Sequence, residues 1–298
     1  MIDMHIHTNN SDGELTVKEL VERIIEEEIK LFSITDHDNI NSCLEMENIK
    51  LPSDTIYIPG IELSGQLKQY NCHILGYNFD YKNINIINEC KKIKLRKYKK
   101  IKEIIEYIRK KYEIEISKEE EQTILNKQGT FGRMDICKLL IQKGYGTISE
   151  IYDKYLTIPN MITHRSKAEI ITSIIKEGRG VSILAHPKEI EEDYNVNIED
   201  IIEEFLEIGI DGIEVYNSIH TLKDIKKYLL LAKKYNLLTT AGSDFHGTSK
   251  PNRWLGYTTN EHIKIKKNQI NFPWLSFFQN KPNILYCRKK EYTWKHLK

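Results

Sequence analysis

The chain has 298 residues, 40% of them apolar and 29% charged, with a formal net charge of +1. These values suit a soluble globular enzyme, and they exclude both a polycationic nucleic-acid wrapper and an acid-rich disordered chain. Cys43, Cys72, Cys90, Cys137 and Cys287 are scattered and never spaced Cys-x-x-Cys, which argues against a disulfide framework or zinc finger and for reduced thiols in a cytoplasmic protein.

No leader pattern and no apolar run of membrane-spanning length occurs, so neither membrane attachment nor an obligate protein partner is expected. The first apolar run, Ile2 to His7, sets His5 and His7 two residues apart, so both side chains leave one face of a strand. Thr16-Val-Lys-Glu19 is a capping box opening a helix that lasts to about Ile29. A second run, Leu31 to Thr35, ends in Asp36-His37-Asp38, and a third, Thr55 to Pro59, leads into Gly60-Ile-Glu62. A fourth starts at His73 and runs to Tyr77. From 84 to 163 strand character gives way to a charged amphipathic helical stretch, expected to be an insertion covering the barrel mouth. Strand-like runs resume at Gly180–His186, Gly212–Tyr216 and Leu237–Asp244, separated by helical patterns near 167–177, 198–208 and 222–235. This alternation predicts an α/β fold whose mainly parallel sheet closes into a barrel formed by residues 1–83 and 164–256. The remainder, 257–298, is basic and aromatic without a clear period.

In such barrels functional groups gather where strands end and loops begin. His5, His7, Asp12, His37, Glu62, His73, His186, Asp244 and His246 lie in or beside the strand-like runs. Six of the ten histidines fall in this set, unlike the scatter of surface histidines. Imidazole and carboxylate ligands suit zinc, manganese and iron, and a carboxylate can bridge two ions. The set predicts a polynuclear metal site and hydrolytic chemistry. Lys91, Lys92, Lys94, Arg96, Lys97, Lys99, Lys100 and Lys102 crowd eight cations into twelve residues. That is either a solvated helix face or an electrostatic funnel for nucleotides or short RNA. Only Tyr98 interleaves them, so a stacking platform is not indicated.

The motifs His5-x-His7-Thr8, Ser11-Asp12-Gly13, Thr35-Asp36-His37-Asp38, Gly60-Ile-Glu62, His73-Ile-Leu-Gly-Tyr77, Ala185-His186-Pro187, Gly212-Ile-Glu-Val-Tyr216 and Gly242-Ser-Asp244-Phe-His246-Gly247 occur in that order. In this set the chain resembles the PHP (polymerase and histidinol phosphatase) family of metal-dependent phosphoesterases, in its stand-alone branch. The resemblance implies a distorted (β/α)7, TIM-like barrel with a helical insertion, holding three divalent ions (Mn, Fe or Zn). By motif position His5, His7, Glu62 and Asp244 would hold the first ion. Glu62, His73 and His186 would hold the second, and Asp12, His37 and His246 the third. Asp36 and Asp38 would orient ligand imidazoles from behind. The implied reaction is hydrolysis of a phosphomonoester by a metal-activated hydroxide.

Phosphate also favours the planar fork of arginine. Arg133 falls where relatives usually read Gly-Arg-Pro-His, with Asp135 in place of that His. Asp244, His220 and Arg133 are the catalytic candidates, and Arg133, His164, Arg165, His220 and Lys250 the substrate-binding ones. The Ser-Asp-Gly motif and the insertion resemble enzymes acting on 3′,5′-nucleoside bisphosphates, and some relatives degrade short RNA from its 5′ end. A histidinol-phosphate phosphatase is the enzymatic alternative. A non-catalytic, metal-stabilised module binding nucleic acid through the basic helix is the other.

Overall fold

The structure is a computed structural model that describes residues 1–127, 129, 131–157, 165–248 and 250–272. The chain begins with β1 (Ile2–Asp3), α1 (Val17–Glu26), β2 (Leu31–Phe32), α2 (Asn41–Met46), β3 (Ile56–Tyr57), β4 (Gly60–Leu67) and β5 (Tyr70–Tyr77). There follow α3 (Ile84–Tyr112), α4 (Lys118–Leu125), α5 (Arg133–Gln142) and α6 (Ile148–Ile151), the last continued by a π-helical turn at Tyr152–Leu156. Then come β6 (Ser166–Lys167), α7 (Ala168–Glu177), β7 (Val181–Leu184), α8 (Pro187–Tyr194), α9 (Ile198–Glu207), β8 (Gly212–Asn217), α10 (Leu222–Tyr235) and β9 (Leu238–Gly242).

Two hydrogen-bonded sheets, β1-β2-β3 and β6-β4-β5-β7-β8-β9, form the wall. Parallel bridges Ile6↔Phe245 and His37↔Glu62 join them at both edges. The wall therefore closes through β1, β2, β3–β4, β5, β7, β8 and β9 as a distorted (β/α)7 barrel. Most pairings are parallel, but β5 runs antiparallel to both β4 and β7. Lys68 and Gln69 close the β4–β5 hairpin, Lys68 at φ 50°, and so short a turn can only join antiparallel strands. β5 starts at Tyr70 rather than His73. Because the strand is reversed, its early residues lie at the mouth, which brings His73 to the other ligands.

The local reasons are ordinary ones. Thr16 and Glu19 make both capping-box hydrogen bonds of α1, and Val17, Leu20, Val21 and Ile24 form its buried stripe. Left-handed Glu28 ends the helical stretch before Ile29. In α3, Ile86, Cys90 and Ile93 join the barrel core, whereas Ile101, Ile104, Ile105 and Ile108 belong to a separate core with Ile124, Ile136, Leu140 and Ile151. The charged helix thus ties two cores together. Cys43, Cys72, Cys90 and Cys137 are buried free thiols. Ile265, Ile270 and Phe272 are buried, and Thr239 N–H donates to Asn271 O at 2.8 Å. This early part of the C-terminal stretch seals the barrel floor, opposite the ligands. Among the described residues no helix is long and apolar enough to cross a membrane.

Candidate metal centre

Glu62 on β4 is fully buried and sits at the hub. Its Oε2 lies 3.1 Å from His5 Nε2, 3.2 Å from His7 Nε2 and 3.2 Å from His37 Nδ1. Its Oε1 lies 3.0 Å from His73 Nδ1 and 2.9 Å from His186 Nε2. Asp244 Oδ1 stands 3.1 Å from His7 Nε2 and 3.6 Å from His5 Nε2. Asp12 Oδ1 is 3.2 Å from His246 Nε2 and 3.8 Å from both His7 Nδ1 and His37 Nε2. All nine residues singled out in the sequence converge on one end of the barrel. Their donor atoms fall into overlapping groups, including His5-His7-Glu62-Asp244 and His7-Asp12-His37-His246. His7 Nε2, Asp12 Oδ1 and His37 Nδ1 are buried without a hydrogen-bond partner. Buried polar atoms are otherwise paired, and a cation satisfies these. The donor set fits a multinuclear divalent metal centre.

Backbone geometry sets these positions. A Cβ on Gly242 would meet His5 Cβ at 2.2 Å, so only glycine lets β9 approach β1 closely enough to present Asp244. Asp244 N–H then donates to His5 O at 2.8 Å. His186 and Asp244 both hold positive φ, 23° and 54°, strain of the kind that gathers at functional sites.

Asp36 and Asp38 do not stand behind imidazoles as expected. Asp36 accepts from Thr8 N–H at 2.8 Å, from Thr8 Oγ1 at 2.6 Å, and from Ser11 and Ser42 hydroxyls, and so shapes the turn presenting Asp12. Asp38 accepts from Ser64 N–H at 2.8 Å and from Lys97 Nζ at 2.7 Å, tying β2 to β4 and α3. The orienting carboxylate is another, Glu214. Glu214 Oε1 accepts from His5 Nδ1–H at 3.0 Å, and its Oε2 accepts from His186 N–H at 2.8 Å. Glu189 Oε2 lies 3.1 Å from His186 Nδ1. Glu214 leaves the Nε2 lone pair of His5 facing Glu62 and a cation, whereas His186 Nδ1 is buried without a hydrogen bond and Glu189 forms a further candidate ligand group with His73 and His186. The sequence signals of Glu214 and Glu189 were faint: one acid inside the apolar run 212–216, and one just after His186-Pro187.

Burial opposes a charge on His5, but Glu214 and Glu62 outweigh it and raise its pKa to about 10. Burial, with His7 alongside, drives His246 down to about 3, and burial also lowers His37. Desolvation would raise Glu62, yet His37, His5 and His73 hold it well below the carboxylate range. Metal ligation takes unprotonated imidazole and ionised carboxylate, so an ion bound here would displace the proton that Glu214 and Glu62 hold on His5.

The expected substrate residues are dispersed. Arg133 opens α5, exposed, with its guanidinium 5.7 Å from the Tyr152 ring centroid. Arg165 precedes β6 and is partly exposed. Lys250 Nζ lies 2.9 Å from His246 Nε2. His164 lies outside the described residues. His220 is fully buried, its Nδ1 donates to Val215 O at 2.9 Å, and burial lowers its pKa to about 4. Its ring packs on Tyr228, and its Nε2 is buried without a hydrogen-bond partner. Asp135 caps α5 by accepting from Gly132 N–H at 2.8 Å, and pairs with Lys127 at 2.7 Å.

Comparison with known proteins agrees with this geometry. The model of the PHP domain matches residues 3–218. A 3′,5′-nucleoside bisphosphate phosphatase of Chromobacterium violaceum is 26% identical over 86% of this chain and 91% of its own. The 5′-3′ exoribonuclease Rnm of Escherichia coli is 27% identical over 85% and 86%. A solved structure of an amidohydrolase from Chromobacterium violaceum, with bound sulfate and no metal, superposes with TM-score 0.69. It is 24% identical and covers 83% of this chain and 88% of that one.

Proposed function

Because the chain belongs to the PHP domain family, we propose that the phosphomonoester it hydrolyses is a nucleotide, foremost a 3′,5′-nucleoside bisphosphate. The chain is a metal-dependent phosphoric ester hydrolase. We assign His5, His7, Glu62 and Asp244 to a first ion, Glu62, His73 and His186 to a second, and Asp12, His37 and His246 to a third, with Mn, Fe or Zn as the metal. Such ions bring bound water to a pKa of about 7 and neutralise charge on the leaving oxygen. The residues' own part is positional. Glu62 holds five imidazoles around one carboxylate, and Glu214 keeps His5 in the ligating tautomer.

The observation that carries the nucleotide reading is a group of three cations beyond the ligands. Lys97 reaches Asp38 beside His37, and Lys100 is the next turn of the same helix. Its ammonium is pushed down to about 8 by burial, with Arg133 and Arg165 adding repulsion. Among the described residues none of the three cations pairs with a carboxylate, so their field is left for a second phosphate. The name of the Chromobacterium violaceum relative supports the same substrate. A second reading, short 5′-phosphorylated RNA, is favoured by Lys94 and Lys97, which line a cavity of about 60 Å³ next to His37.

The test is phosphate release, with Mn²⁺, from adenosine 3′,5′-bisphosphate, AMP, histidinol phosphate and a short 5′-phosphorylated RNA, with Asp244→Asn as control. Selective turnover of the bisphosphate, abolished by chelator and restored by Mn²⁺, is expected. Preference for histidinol phosphate would overturn the nucleotide reading. Salt-sensitive RNA binding that survives chelation, without hydrolysis, would instead make the chain a binding module.

A further inference from the structure

Arg253, in the loop after β9, is a cation that the ligand assignment leaves without a task. Its guanidinium is largely buried, with the side chain 14% exposed, and lies between two carboxylates. Nη1 contacts Asp244 Oδ2, and Nη2 donates to Glu189 Oε1 at 3.3 Å. Asp244 belongs to the first ligand group, and Glu189 groups with His73 and His186. The guanidinium therefore spans the edges of both. Lys250 of the same loop brings its Nζ to His246, in the third group. The loop is held in place: Asn252 adopts φ 72°, Leu255 is buried in the core, and Gly256 N–H donates to Asp3 Oδ2 at 2.8 Å.

Neutralising two carboxylates would take only a point charge, which lysine supplies. Arginine adds a rigid planar fork of donors that matches phosphate oxygens. Nη1 carries two N–H donors, so beyond its contact with Asp244 Oδ2 this edge of the fork keeps donor capacity. Once divalent ions share the charge of Asp244, that edge faces whatever oxyanion the ions hold.

We propose that Arg253 is a phosphoryl-binding residue of the metal centre. Its Nη1 edge donates to a non-bridging oxygen of the reacting phosphate, while Glu189 anchors the other edge. Lys250 faces the same group from the side of His246. The ligand is a tetrahedral oxyanion, and the proposal rests on the phosphoesterase reading above.

The experiment uses the full chain loaded with Mn²⁺. Inorganic phosphate binding is measured by calorimetry and bound metal by elemental analysis, for the wild type, Arg253→Ala and Arg253→Lys. With metal content unchanged, Arg253→Ala is expected to weaken phosphate binding roughly 10- to 100-fold, as befits a lost charge-assisted hydrogen bond, and Arg253→Lys is expected to recover part of it. Unchanged phosphate affinity at full metal content would overturn the proposal. If the alanine variant loses metal, Arg253→Lys decides: weaker phosphate at full metal supports the contact, and phosphate loss only in proportion to metal loss makes Arg253 a strut and overturns it. A wild type that binds phosphate with its ions yet hydrolyses no phosphomonoester would fail the phosphoesterase reading alone.

Discussion

Glu214 shows how one buried side chain controls the centre without being a ligand. It accepts from His5 Nδ1, His186 N–H and Asn217 Nδ2, and its own pKa stays low because His5 and His186 outweigh the burial that would raise it. Glu214→Gln keeps the shape but loses the charge that fixes the His5 tautomer. Metal affinity should fall roughly 10- to 100-fold, as read by competition with a chromophoric chelator, with circular dichroism unchanged. Wild-type affinity in that variant would remove Glu214 from the site. Lys100 makes a pH prediction of two opposite signs. Its folded pKa of about 8 lies below the ordinary 10.5, so between those values the native state binds fewer protons than the unfolded one, and stability rises with pH across that window. Substrate binding runs the other way. The charge that would meet a second phosphate is lost as pH passes about 8, so KM for a bisphosphate should climb there while KM for a monophosphate does not. Lys100→Arg, cationic throughout, should flatten the climb. A bisphosphate KM indifferent to pH would detach Lys100 from the substrate.

At the scale of elements, Asp135 illustrates how a motif position can change its task. Where relatives usually carry histidine, the carboxylate closes the first turn of α5 onto Gly132 and pairs with Lys127. Asp135→Ala should cost about 1 kcal/mol by loss of this cap, measured by urea unfolding, and leave turnover unchanged. A loss of turnover without a loss of stability would return Asp135 to the substrate. The long periodic helices were readable because their buried stripes repeat: α10 runs over the expected 222–235 and α9 comes within one residue of 198–208. Two short helices were not. α2 is six residues long, and α8 buries only Pro187 and Ile190 among charged neighbours, too little for a helical period to register. The reversal of β5 was equally hidden, since its two-residue turn, Lys68-Gln69, carries none of the Gly, Asn or Asp that mark a hairpin.

Three apolar cores support the described residues, α3 joins two of them, and the separation of those two is testable. Ile108 is fully buried in the second core. Ile108→Ala should remove about 3 kcal/mol from that core. By hydrogen exchange, amides of α4 and α5 should lose protection while those of β7 to β9 keep theirs. Equal acceleration in both would mean a single cooperative unit. The sequence by itself determined the family, the alternation that builds the barrel, and the nine residues that converge at its end, because each sits in a short motif whose spacing and chemistry are local. Tertiary structure alone decided what sits behind and above those residues. Glu214 meets His5 across 209 residues of chain, Arg253 meets Glu189 across two strands and two helices, and Lys100 feels Arg133 and Arg165 only because three separate segments pack together. Such contacts depend on how distant segments pack, and a hydrogen bond or a Coulomb field between them leaves no periodicity in the chain.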